Sequence, residues 1–127
     1  DPEKRVDSRY IHRGKFDWKL ADGRKRKGTV QKELFDGIEK LRFIRSKEKV
    51  FDPSANVWTL DTWENGILGV VRELEGEQMT ALFNFAEDER TAWIAEEGEY
   101  IDLYTGKKVD LQAIKMEGHS FVLAKKC

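Results

Sequence analysis

"MTALFNF", residues 79–85, sets Met79, Ala81, Phe83 and Phe85 on one side and Thr80, Leu82 and Asn84 on the other. Successive side chains of a strand point to opposite faces, so this period of two predicts a β-strand in a sheet with one well-buried face. The same rhythm extends outward in both directions. Strands are expected at "NVWTLD", "ILGVVREL", "TAWIA", "YIDLYT", "KVDL", "AIKM" and "FVLAKK", separated by "ENG", "EGEQ", "AEDER", "EEGE", "TGK" and "EGHS". Asn65-Gly66 predicts a two-residue hairpin turn, because both residues tolerate positive φ. Short strands at regular spacing with turn residues between them imply a mainly β fold, an antiparallel β-sandwich or barrel.

Upstream of residue 56 the period changes. Val30, Leu34, Ile38, Leu41 and Ile44 form an apolar stripe at helical spacing, with Lys, Glu and Arg opposite. Gly28 or Thr29 is placed to cap the start, and "FDP" at 51–53 stops the helix. Gly37 costs about 1 kcal/mol relative to Ala in a helix interior, which suggests that another backbone packs closely there. Phe35 and Phe43 widen the stripe, so the helix is expected to touch two bodies. Residues 1–28 lack a period and end in a basic, turn-rich connector, "ADGRKRKG".

Charge divides the chain at the same place. Residues 1–50 hold 16 of the 23 Lys and Arg and 9 of the 24 Asp and Glu, while residues 51–127 carry 7 basic and 15 acidic residues. The split marks two units with different neighbours, and the acidic second unit argues against nucleic acid as its partner. The single cysteine, Cys127, cannot form an internal bridge, which excludes a disulfide framework. No apolar run approaches the roughly 18 residues of a membrane span, so no membrane association is expected. The opening "DPEKRVDSRY" has neither an initiator Met nor a signal-peptide pattern and reads as the start of a fragment. A cytoplasmic location is the expectation that remains.

Few residues promise chemistry on their own. The acidic residues Glu87, Asp88, Glu89, Glu96, Glu97 and Glu99 fall in predicted turns, where a solvated surface is the simplest reading. His12 and His119 are far apart in sequence, and no ligand spacing predicts a metal site or a cofactor. "RKRK" at 24–27 lacks the interleaved aromatics of a nucleic-acid patch. Trp58, Trp63, Trp93, Tyr100 and Tyr104 are expected mostly in the core, although Trp63 beside its turn is a candidate for exposure. With Trp93 it supports an alternative reading, a free-standing carbohydrate-binding β-sandwich. The stretch "VDSRYIHRGKFDW", residues 6–18, packs Arg9, His12 and Arg13 among aromatic rings. It reads equally as an ordinary loop or as a pocket wall in which an Arg presents its fork of donors to oxygen atoms.

Taken together, "DSRYIHRGKFDW", "GTVQKELFDGIEKLRFIR", "LFNF", "YIDLYTGKKV" and "GHSFVLAKK" resemble the C-terminal end of an amylosucrase, in the α-amylase superfamily of retaining glycoside hydrolases and transglycosylases. The resemblance runs from Asp7 to about Lys126. It implies that residues 1–50 are the last βα loop and final helix of a (β/α)8 barrel, and residues 51–127 an antiparallel β-sandwich of the amylase C-terminal type. Loops after barrel strands line the active site. Arg9 and His12 are then the expected substrate-binding residues: Arg9 at the bottom of the sucrose pocket, His12 with Asp7 and Arg13 shaping the loop. The implied partners are sucrose or related α-glucosides, a glucan, and the barrel itself. The catalytic carboxylates of that superfamily come from earlier barrel strands, so this portion alone is not expected to turn over sugar. Two departures, Gly14 in place of a Pro and "DGRKRKG" in place of an acidic approach to the helix, are compatible with a side branch that hydrolyses sucrose or uses another α-glucoside.

Overall fold

The computed structural model describes residues 15–127. The chain divides into two compact units, residues 1–39 and 40–127. The described part of the first holds a short helix α1 (Trp18–Ala21), a 3-10 turn (Asp22–Lys25) and the beginning of the long helix α2 (Val30–Lys47). Asp17 caps α1 by accepting from the Lys19 amide at 2.9 Å. Of the two predicted caps for α2 it is Thr29 that serves: its hydroxyl accepts from the Lys32 amide at 3.2 Å and donates to the Gly23 carbonyl at 2.7 Å. An uncapped start would leave the Lys32 amide without this partner, at a cost of about 1 kcal/mol.

The second unit is β-rich. Its strands are β1 (Asn56–Leu60), β2 (Ile67–Leu74), β3 (Glu77–Asn84), β4 (Arg90–Ala92), β5 (Tyr100–Asp102), β6 (Lys108–Val109), β7 (Ile114–Met116) and β8 (Phe121–Lys126). Six of them form one sheet in the order β1-β2-β3-β8-β5-β6, and β4 and β7 form a second, two-stranded sheet. Every pairing is antiparallel. The chain is therefore mainly β, as its alternation predicts.

The strand that announced the fold is buried more completely than expected. On one face of the large sheet, Leu82 of β3 lies with Ile67, Ala124 and Tyr100, and Ala92, Ile94, Leu111, Ile114 and Met116 close over them. On the other face, Met79 and Ala81 pack with Leu123, Ile44 at the end of α2, and Val50 in the following 3-10 turn. Both faces of β3 are covered because the C-terminal turns of α2 form one lid and the small sheet the other. Phe85, set on the side of Met79 and Ala81 by its period, falls beyond the strand and is exposed. The helix lid is also tied down by polar contacts. Arg72 of β2 donates through Nε to the Val50 carbonyl at 2.6 Å and through Nη2 to that of Asp52 at 2.9 Å. Lys125 of β8 donates to Glu48 at 2.6 Å.

Turn geometry departs from expectation at one hairpin. Residues 61–66 between β1 and β2 form a six-residue loop rather than a two-residue turn at Asn65-Gly66. The tight turn instead joins β2 to β3. Leu74 pairs with Glu77, and Glu75 and Gly76 between them hold φ of 49° and 82°, the two positive values a type I′ turn requires. Gly69 has a packing role. A Cβ there would stand 2.6 Å from Leu60 Cδ1 and 3.0 Å from Thr62 Cγ2, so its bareness leaves room for the Leu60 side chain of the paired strand β1.

Candidate functional site

Arg9 and His12, with Asp7 and Arg13, lie outside the described residues. Among the described residues no group of three or more His, Cys, Asp and Glu is placed to hold a metal ion. Two of the acidic turn residues, Asp88 and Glu96, are held by side-chain hydrogen bonds. The Asp88 carboxylate accepts from Arg90 Nε at 2.9 Å, and the guanidinium holds its pKa below the ordinary value. Glu96 accepts from Tyr100 Oη at 2.7 Å and from Gln78 Nε2 at 2.9 Å. Burial first, and then the Glu96 carboxylate, push the Tyr100 phenol well above its usual range. These contacts make Glu96 a strut beneath β5.

The phrase "DLYTGKKV" also resolves into architecture. Asp102 is buried, and its Oδ1 accepts from the amides of Leu123 at 3.1 Å and Tyr104 at 3.2 Å, while Oδ2 accepts from the Thr105 hydroxyl at 2.8 Å. Gly106 at φ 74° completes the turn, its amide bonding the Asp102 carbonyl at 2.7 Å. One carboxylate thus sets both the turn after β5 and the pairing toward β8.

What the structure brings together is the backbone of the segments that carry two exposed tryptophans, Trp63 and Trp93. Ala92 and Ile94 point into the core, so Trp93 between them points out and is 51% exposed. Its amide donates to the Thr62 carbonyl at 2.9 Å, which sets it beside the neighbour of Trp63. Trp63 is 74% exposed and holds φ of 56°, the left-handed region that is an outlier for a bulky residue. Three contacts support it. Asp61 Oδ1 accepts from the Trp63 amide at 2.8 Å, and the Thr62 hydroxyl bridges to the Glu64 and Ile67 carbonyls at 3.0 and 2.8 Å. Glu64 Oε1 then accepts from the Gly66 amide at 3.2 Å and from Arg90 Nη1 at 2.9 Å. Arg90 ties Asp88 to Glu64, a role hidden in the sequence because Glu64 lies twenty-six residues upstream of it. "DTW" at 61–63 did carry a signal, an Asp two residues before an amide it can bond.

The helix presents a second feature. Of its apolar stripe only Ile44 is buried, at 8% exposure; Val30, Leu34, Ile38 and Leu41 are exposed, Ile38 at 64%. Phe35 and Phe43 beside the stripe are exposed as well.

No family model matches the chain, and no curated protein matches it. Solved structures do resemble it. An Anoxybacillus α-amylase superposes with a TM-score of 0.64 at 19% identity, over 79% of this chain and 23% of that one. A β-galactosidase from Bacillus circulans sp. alkalophilus gives 0.47 at 20% identity over 54% of this chain and 10% of its own. The chain thus spans about a quarter of the amylase and a tenth of the galactosidase. At this identity the resemblance to the amylase is one of fold: the chain has an antiparallel β fold of a kind found within a glycoside hydrolase.

Proposed function

We propose that this chain is the C-terminal part of a carbohydrate-active enzyme, most specifically an amylosucrase-like protein of the α-amylase superfamily. Residues 1–50 would be the last βα loop and final helix of its (β/α)8 barrel, and residues 51–127 the β-domain that follows. The observation that carries this reading is the bare stripe on α2. A helix with a regular apolar face forms stably in water by burying that face. Among the described residues Val30, Leu34, Ile38 and Leu41 remain exposed, and a ring of barrel strands is a body of the right character to cover them. The likeness in fold to an α-amylase supports the same assignment. A free-standing binding module would leave the stripe without a partner.

In this reading Arg9 supplies a charged fork of donors at the base of the sugar pocket, with His12 in the same loop. The parent enzyme would break the glycosidic bond through a covalent glucosyl-enzyme, using carboxylates from earlier strands, and pass the glucosyl unit to a glucan or to water. The test is the native gene product, by intact mass and by sucrose turnover. The expected product is far heavier than this 14.8 kDa chain, since a barrel adds about 250 residues. It should release fructose from sucrose, and Arg9→Ala should lower kcat/KM by about tenfold to a hundredfold, the range for losing a charged hydrogen bond. A native product of this chain's own mass refutes the assignment. Turnover of another α-glucoside but not sucrose retains the enzyme class and discards amylosucrase.

A further inference from the structure

We infer that Trp63 and Trp93 form a stacking platform for the sugar rings of an α-glucan chain. The choice of an α-glucan rests on the carbohydrate-active reading above, whereas the platform rests on geometry. Two indoles are displayed outward on backbone segments joined by the 2.9 Å bond from the Trp93 amide to the Thr62 carbonyl. One of them is held at positive φ, a conformation that persists only where its surroundings enforce it, and such strain collects at functional positions. The enforcing contacts come from Asp61, Thr62 and the Glu64–Arg90 pair.

The chemistry around the rings matches a saccharide. A pyranose has an apolar C–H face, which an indole covers, and a rim of hydroxyls that both donate and accept. Asp61 and Glu64 in the loop that carries Trp63, and Asp88 and the partly exposed Arg90 a few residues before Trp93, supply acceptors and a cation near the two segments. An apolar protein partner would meet those charges as groups to be desolvated without compensation. The location also differs from that of the helix lid: Trp93 adjoins the small sheet, on the layer opposite the C-terminal turns of α2.

The experiment is native electrophoresis of the full chain through gels containing amylose, with hydroxyethylcellulose gels as the stereochemical control. Retardation is expected in amylose, and Trp63→Ala and Trp93→Ala should each weaken it by about tenfold, a loss of the size that removing one stacked ring produces. Phe43→Ala, which removes an exposed ring on α2, should leave retardation intact. Trp93→Ala alters no strained backbone, so it tests the platform even if Trp63→Ala fails to fold. No retardation of the parent chain in amylose, retardation unchanged in both Trp variants, or equal loss in Phe43→Ala would overturn the platform. Equal retardation in hydroxyethylcellulose would overturn the α-glucan as its ligand. Sucrose turnover by the native gene product is read separately, so failure of the platform and failure of the enzyme assignment are distinguishable.

Discussion

Replacing Asn84 by Asp changes one NH2 into one oxygen at the point where the two sheets are tied together. The Asn84 side chain is 3% exposed. Its Nδ2 donates to the carbonyls of Asp88 at 3.0 Å, Met116 at 3.1 Å and Glu117 at 3.0 Å, and its Oδ1 accepts from the Ala86 amide at 3.0 Å. In Asn84→Asp the three carbonyls face a negative oxygen. Each buried acceptor left unsatisfied costs about 1–3 kcal/mol, and the amide's two hydrogens satisfied two of them, so a loss of about 4 kcal/mol is expected at pH 7. A domain of this size unfolds with about 5–15 kcal/mol in total, so the variant should be close to unfolding. Protonation offers an escape. The neutral acid regains one donor, so its folded pKa must lie above the unfolded value near 4. The destabilisation is then least below about pH 4 and grows as pH rises toward the folded pKa, by at most about 1.4 kcal/mol per unit. Urea unfolding of wild type, Asn84→Asp and Asn84→Ala at pH 4 and pH 7 measures this. An Asp variant within about 1 kcal/mol of wild type at pH 7 would refute the hub. So would an Asp variant that tracked the Ala variant at both pH values, since Ala loses the bonds without gaining a charge.

Two further substitutions probe the core. Thr80 is fully buried and its hydroxyl has no hydrogen-bond partner among the described residues, so Thr80→Val should stabilise the chain by about 1 kcal/mol, read as a rise in Tm of about 4 °C; a fall in Tm would show that the hydroxyl is satisfied. Tyr100→Phe loses the 2.7 Å bond to Glu96 and should cost about 1–2 kcal/mol at pH 7. The folded Tyr100 pKa is raised, so its contribution is intact below the unfolded pKa near 10 and declines as pH rises beyond it toward the folded value. The wild type should therefore lose stability above pH 10 more steeply than Tyr100→Phe, and parallel alkaline curves would contradict the assignment.

How far the sequence carried the fold depended on whether the physics was local. Alternation and helical spacing are local, and the eight expected strands and the helix at Val30–Lys47 are all present. Period alone could not say that β3 is covered on both faces, because the second cover comes from Ile44 and Val50, about thirty residues upstream. Asn65-Gly66 carried the stronger turn pattern, yet Glu75-Gly76 took the tight turn. The long β2–β3 register ends at Leu74 and Glu77 and leaves two residues to close it. Trp63 was legible as a candidate for exposure. Its grouping with Trp93 was legible too, but the backbone bond from Trp93 to Thr62 was not, because it spans about thirty residues. Arg9 and His12 rest on resemblance and lie outside the described residues.

The position of β8 has a consequence for how the protein is made. Phe121–Lys126 is the last of the described strands in sequence, yet it lies inside the sheet, with β3 on one side and β5 on the other. While a ribosome is still working through residues 105–120, β1, β2 and β3 can pair, but β3 keeps an open edge and β5 has no neighbour on its inner side. An unpaired strand edge is a template for other chains. The nascent chain therefore stays vulnerable until synthesis has passed Lys126. A chaperone that shields β3 during that interval should raise the yield of folded protein more than one acting once β8 has joined the sheet.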